Sequence, residues 1–182
     1  MIPAVVDEAV TESRRRAGEW IACRAGCSDC CHAAFAITAA DALRLRAGLA
    51  QLAPERRAAI VQRARAYGER VRFEFPGDTD TGQLVSNEEW QEWFFARQRG
   101  IPCPALDAET GACELYEHRP VACRLYGHLI QIGDQEPGEC ALCFRGATAA
   151  EKEACRVRVD AAAVDDSALP EGRTIVALAL SY

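Results

Sequence analysis

The sequence lacks the features that direct a chain to the membrane, to secretion or to nucleic acid. Its 182 residues contain no apolar run of membrane-spanning length. The start has neither the basic segment nor the continuous apolar stretch of a secretory signal. The formal net charge is -6, whereas nucleic acids and anionic membranes bind basic surfaces. We therefore expect a cytoplasmic protein with neither nucleic acid nor a membrane among its partners.

Other absences narrow the function and the domain organisation. Serine-nucleophile, phosphate-loop and dinucleotide-binding motifs are missing, and there is no internal repeat or low-complexity tract. A hydrophobic content of 49% is enough for one core without disulfide staples. The sequence therefore predicts a single domain over residues 1–182.

What the chain has in excess is cysteine, with ten residues. Thiols stay reduced in the cytosol, so metal coordination or redox chemistry explains them better than disulfide bonds do.

Apolar periodicity predicts a mostly α fold, a single compact domain of about five or six helices with irregular cysteine-bearing loops around one or more metal sites. Ser/Thr-x-x-acid boxes that begin helices occur at Thr38, Ser86 and Thr148. The predicted terminal helices span residues 4–22 and 148–163 and pack on the cysteine-bearing core. Helical spacing predicts two core-facing stripes: Ile60, Ala64, Tyr67 and Val71, then Trp90, Trp93 and Phe94.

Four cysteines lie close together near the N-terminus, at Cys23, Cys27, Cys30 and Cys31. On a helical turn Cys27 shares a side with Cys30 and Cys31, so at least two sulfurs can face one metal. Adjacent residues differ by about 100° around such a turn, so Cys30 and Cys31 serve either different centres or different atoms of one cluster.

The spacing of Cys23, Cys27 and Cys30 also matches the motif with which radical S-adenosylmethionine enzymes hold a four-iron cluster. Those enzymes resemble β/α barrels, which are longer than this chain. Asp29 stands where they have an aromatic residue before the third cysteine. We disfavour this interpretation.

The remaining cysteines are spread along the chain. Cys155 sits in a predicted helix and is interpreted as a packing residue, and Cys143 is left undecided. Zinc and a four-iron cluster each take four sulfur ligands, so eight or nine thiols can complete two sites whose parts meet across the fold. The later candidates are Cys103, Cys113, Cys123 and the CxxC pair Cys140 and Cys143.

These motifs resemble the YkgJ-type cysteine-cluster proteins of the CxxCxxCC family, zinc- or iron-chelating domains. Residues 23–31 and 103–124 carry the resemblance, which with the later pair covers 23–143. Here three residues separate Cys23 from Cys27, where the family name has two. The cysteine-rich part is also similar to flagellin lysine methylases, but no evident methyl-donor site accompanies it. The resemblance implies metal chelation by Cys23, Cys27, Cys30, Cys31, Cys103, Cys113, Cys123 and Cys140.

Arginines and a histidine accompany these candidate ligands. Arg119 and Arg124 flank Cys123 and can offset the negative charge of a thiolate site, so we predict that they contact the bound group. His32 is either a ligand or a hydrogen-bonding neighbour. The first hypothesis is a metal-binding module whose centre, zinc or iron-sulfur, supports the fold or an unknown protein partner. The alternative is an iron-sulfur-dependent redox or transferase enzyme, methylase-like, with a pocket near Tyr116, Arg119 and Arg124.

Overall fold

The computed structural model describes residues 4–24, 26–135, 138–164 and 171–181. The helices in these ranges are α1 (Ala4–Ala17), α2 (Ala39–Gln51), α3 (Pro54–Val71), α4 (Glu88–Arg97), α5 (Val121–Leu125), α6 (Ala149–Cys155) and α7 (Val176–Leu180). The strands are β1 (Ala36–Thr38), β2 (Gly77–Asp78), β3 (Gln83–Leu84), β4 (Ile130–Ile132), β5 (Val157–Val159) and β6 (Arg173–Ile175). The predicted mostly α class is confirmed.

The chain groups into two compact units, each assembled from separate stretches of sequence. The first unit consists of Met1–Ala25 and Val121–Ala168, and the second consists of Gly26–Pro120 and Leu169–Tyr182. Each unit contains its own set of cysteines.

In the second unit the core forms where α7 packs against both α2 and α3. α7 has only five residues, too few to be stable alone, and four of them are buried. β6 leads into α7 and pairs antiparallel with β1, with Ile37 opposite Thr174. The stripe predicted on α3, from Ile60 to Val71, is buried as expected.

In the first unit β4 and β5 pair in parallel, with Ile130 opposite Val157. Both residues are buried in a cluster with Val6 and Ala9 of α1. A second cluster in this unit contains four of its cysteines together with Ala17.

The predicted helix starts are largely correct, because the capping signals that set them involve residues close together in the sequence. Thr38 and Thr148 each form the predicted reciprocal capping box. At α4 the prediction was wrong by one residue, since Asn87, not Ser86, accepts the capping hydrogen bond from the Trp90 amide.

The predicted helix over residues 148–163 is wrong in length. α6 ends at Cys155 because Val157–Val159 pairs as a strand with β4, and an alternating β-branched segment suits a strand better than a helix. The N-terminal helix, predicted over 4–22, ends at Ala17 because Gly18 adopts a φ of 52°.

The prediction that the aromatic residues of α4 share a core-facing side is also wrong. Phe94 is fully buried, but Trp90 and Trp93 are 40% and 48% exposed. The buried stripe instead contains Gln91, Phe94 and Gln98, at spacings of three and four residues. Arg97 covers Trp93, with its guanidinium 5.0 Å from the ring centroid.

The helices were also compared with the dimensions of a bilayer. Among the described residues, no helix combines the length and the apolar character needed to cross a membrane.

Candidate metal centre

Cys30 and Cys31 lie in a short 3₁₀ turn of the second unit, Asp29–His32. The amide of Cys31 donates to the carbonyl of Ser28 at 2.8 Å and closes this turn. The side chains of Cys30 and Cys31 interact directly, and each shifts the pKa of the other. The two adjacent sulfurs therefore face the same place.

The segment that carries Cys103 is held beside this turn by main-chain hydrogen bonds. The amide of Cys103 donates to the carbonyl of Cys31 at 2.7 Å, and that of Gly100 donates to the carbonyl of His32 at 2.7 Å. From α3, the Nε of Arg63 donates to the carbonyl of Pro104 at 2.8 Å. Cys103 is thereby fixed next to a residue that is far away in the sequence.

Cys113 reaches the same region through a tight turn. It pairs in an isolated β-bridge with Leu106, three residues after Cys103. Gly111 has a φ of 69°, and a Cβ there would lie 2.8 Å from the carbonyl oxygen of Gly26. Only glycine permits both the backbone conformation and this approach. The contact also places the backbone just before Cys27 against the Cys113 turn.

The four thiols of Cys30, Cys31, Cys103 and Cys113 interact electrostatically as one group. The side-chain interaction with Cys31, with the charge of Arg119 acting in the same direction, lowers the pKa of Cys30 to about 7. That interaction, followed by burial and the neighbouring thiols, raises the pKa of Cys31. Burial raises the pKa of Cys103 to about 12 and also raises that of Cys113. We refer to these four residues as the four-thiol group.

Arg119 lies at the edge of the four-thiol group. Its Nε donates to the carbonyl of Tyr116 at 3.2 Å, and its guanidinium lies 3.8 Å from the centroid of the Tyr116 ring. Tyr116 is 50% exposed. Stacking on the ring therefore directs a positive charge toward the group, where anionic sulfurs would need one.

The two histidines near these cysteines have different environments. The Nδ1 of His32 lies 2.9 Å from the carbonyl oxygen of Ser28. Since a carbonyl only accepts, Nδ1 carries the proton of the neutral ring and Nε2 keeps the lone pair, as in many metal-bound imidazoles. His118 packs against Gly48 of α2, so closely that a Cβ at Gly48 would overlap the His118 ring. His32 stays a candidate ligand, whereas His118 packs.

Apart from Cys27, the other predicted ligands belong to the first unit. Cys23 and Cys140 pack there in one cluster with Cys143, and Cys123 lies on α5. The dense N-terminal motif is therefore divided, since Cys27 belongs to the second unit although it follows Cys23 by four residues. Nothing in the local sequence indicates this division.

Arg124, the other arginine predicted to contact the bound group, also belongs to the first unit. It forms an ion pair with Asp7 at 2.9 Å, and its side chain is 12% exposed. Tyr116 and Arg119 belong to the second unit. A cofactor contact by Arg124 stays a prediction.

Cys143 is absent from the ligand set derived from the sequence, although its CxxC spacing with Cys140 indicated it. It is 7% exposed and lies against Gly127 together with Cys23 and Cys140. Cys155, also 7% exposed, is in the same cluster, and its thiol donates to the carbonyl of Arg16 at 3.6 Å.

All ten cysteines lie among the described residues, and none of them is in a disulfide bond. In that part of the chain, no three His, Cys, Asp or Glu side chains have the spacing to hold a metal ion as they stand. The thiols instead interact with one another, in the pairs Cys30–Cys31 and Cys140–Cys143. Loss of the thiol protons leaves soft thiolate donors, which suit zinc and iron-sulfur clusters.

The mostly helical fold and its grouped thiols define a cysteine-cluster domain. A family model, CxxCxxCC, described as "Putative zinc- or iron-chelating domain", matches residues 22–155. The chain belongs to this family, and the predicted resemblance is confirmed. Searches of curated proteins and of solved structures returned no match.

Proposed function

We propose that the protein is a metal-binding module in which Cys30, Cys31, Cys103 and Cys113 hold one metal centre through their thiolates. The observation that carries this proposal is the convergence of three chain segments on one place. The hydrogen bond between Cys103 and Cys31 joins the first two segments, and the turn at Gly111 brings in the third. Cys27 and His32 are further candidates for the same centre.

The role proposed for the centre is structural. Among the described residues between α4 and α5, the only helical segment is the short turn Tyr116–His118, so turns, rather than a long helix, organise the segment that bears Cys103 and Cys113. A metal bound by thiolates from both parts of the chain would cross-link the segment that bears Cys103 and Cys113 to the Asp29–His32 turn. Metal-binding free energy then becomes folding free energy. A surface ordered in this way can also serve a protein partner.

The metal itself is zinc or an iron-sulfur cluster, since each accepts four thiolates. Bound zinc would supply a fixed tetrahedral cross-link, and a cluster would add electron transfer. Either requires reduced cysteines, which supports a cytoplasmic location. The net charge of -6 supports the expectation that neither nucleic acid nor a membrane is the partner.

An iron-sulfur enzyme is the second candidate, favoured by one observation. Tyr116 is half exposed and Arg119 stacks on it beside the four-thiol group, so a polar surface lies next to the centre. An open surface of this kind suits a reaction better than a closed structural site does.

Metal and sulfide analysis of anaerobically purified protein tests both candidates. The proposal predicts tightly bound metal in a fixed ratio to the chain. A colourless protein with zinc alone would exclude the iron-sulfur enzyme. A brown protein with equal iron and sulfide would support a cluster. Fully folded protein that retains neither metal would contradict the proposal.

Arg119→Gln is expected to weaken metal binding about 10- to 100-fold, the usual range for a residue that supports the ligands without binding the metal. The substitution removes the charge that acts on Cys30. Affinity is measured by competition with a chromophoric chelator. Arg119→Lys, which keeps the charge, should recover part of the loss. Equal affinity in all three proteins would show that Arg119 has no part in binding.

A further inference from the structure

Three cysteines of the first unit surround one glycine, Gly127. This residue has a φ of 82°, a backbone conformation that residues other than glycine rarely adopt. A Cβ at this position would lie 3.0 Å from the Cβ of Cys140, 3.1 Å from the Sγ of Cys143 and 3.5 Å from the Sγ of Cys23. The sulfurs of Cys23 and Cys143 are therefore close neighbours, although the residues are far apart in the sequence.

Main-chain hydrogen bonds hold the turn between Cys140 and Cys143, and one of them is donated to sulfur. The amide of Cys143 donates to the carbonyl of Cys140 at 3.0 Å, and the amide of Leu142 donates to the Cys140 sulfur at 3.4 Å. A backbone N–H that donates to sulfur stabilises the charged form of the thiol. Burial outweighs this effect and raises the pKa of Cys140, so the thiol loses its proton only when metal binds.

The backbone after this turn is strained and anchored. Phe144 has a φ of 52°, which is uncommon for a residue with a side chain. Its amide donates to the carbonyl of Trp20 at 2.8 Å, three residues before Cys23. Strain of this kind persists where the surrounding structure requires it, often at a ligand site. Here it holds the CxxC turn against the segment that carries Cys23.

We propose that Cys23, Cys140 and Cys143 form a second metal centre, for one thiophilic divalent ion such as zinc. Cys123, which lies one helical turn before Gly127 in the same unit, is the fourth ligand. The C-x₂-C spacing of Cys140 and Cys143 is typical of zinc ligands. Each thiol that binds releases its proton to solvent. The inference shares the thiolate chemistry of the proposed function but uses none of its ligands.

Zinc content after reconstitution with zinc tests the second centre and separates it from the first. Wild-type protein should bind two zinc ions per chain by native mass spectrometry. Cys143→Ser and Cys103→Ser should each bind one, and the double variant none. Cys155→Ser is the matched control, since Cys155 is buried in the same cluster, and it should bind two. Loss of zinc in Cys103→Ser alone would overturn the second centre and leave the first intact.

Further experiments on variants and on the wild-type protein also test the second centre. Gly127→Ala should lose one zinc ion, because its methyl group would occupy the space between the thiols, and Cys123→Ser should weaken the same ion. In the wild-type protein, zinc should protect Cys140 and Cys143 from iodoacetamide, with protection lost after chelation, as mapped by peptide mass spectrometry. This second readout needs no variant to fold. Alkylation of Cys143 that is independent of zinc would overturn the proposal.

Discussion

Replacing Cys103 with serine is expected to abolish metal binding at the four-thiol group and to destabilise the second unit. Cys103 is partly buried against the core, and its amide bonds to Cys31. A serine keeps the backbone bond but supplies a hydroxyl, which is a poor ligand for soft metals. Structural zinc contributes on the order of 10 kcal/mol in small domains, so loss of a ligand should cost several kcal/mol.

Three measurements detect this effect, and the last of them locates it in the chain. Metal content should fall by one centre, and urea unfolding should shift to a lower midpoint. Hydrogen exchange should rise mainly over residues 100–114, in the segment that the metal would hold. Cys155→Ser should leave metal content unchanged. Equal metal loss in the two variants would overturn the ligand assignment.

Removing metal with a strong chelator is the second large expected effect. If binding contributes about 5 kcal/mol or more, the melting temperature should fall by roughly 10 to 20 °C, since about 2 to 4 °C corresponds to each kcal/mol at this chain length. Differential scanning calorimetry measures the shift. For a zinc centre, added zinc should restore the original value and magnesium should not, because magnesium prefers oxygen ligands. An unchanged melting temperature would show that no bound metal stabilises the fold.

The elements that sequence patterns predicted correctly are those decided within a few residues. The capping boxes at Thr38 and Thr148 depend on a side chain and a backbone amide three residues later. The α3 stripe follows from helical spacing alone. α6 was predicted too long because its end is set by pairing of β5 with β4, a distant segment.

The candidate ligands show the same limit. Cysteine density and spacing predicted metal binding and a set of candidate ligands. They did not indicate that Cys23 and Cys27 belong to different units, because the partner segments of each are distant in sequence. The sequence left Cys143 undecided for a related reason: its place beside Cys23 depends on the left-handed turn at Gly127 and the hydrogen bond between Phe144 and Trp20.

X-ray absorption spectroscopy at the metal edge tests the central claim most directly, since it identifies the atoms that bind the metal. We expect a first shell dominated by sulfur, at about 2.3 Å, for zinc as for an iron-sulfur cluster. A first shell dominated by oxygen or nitrogen in the wild-type protein would contradict thiolate coordination.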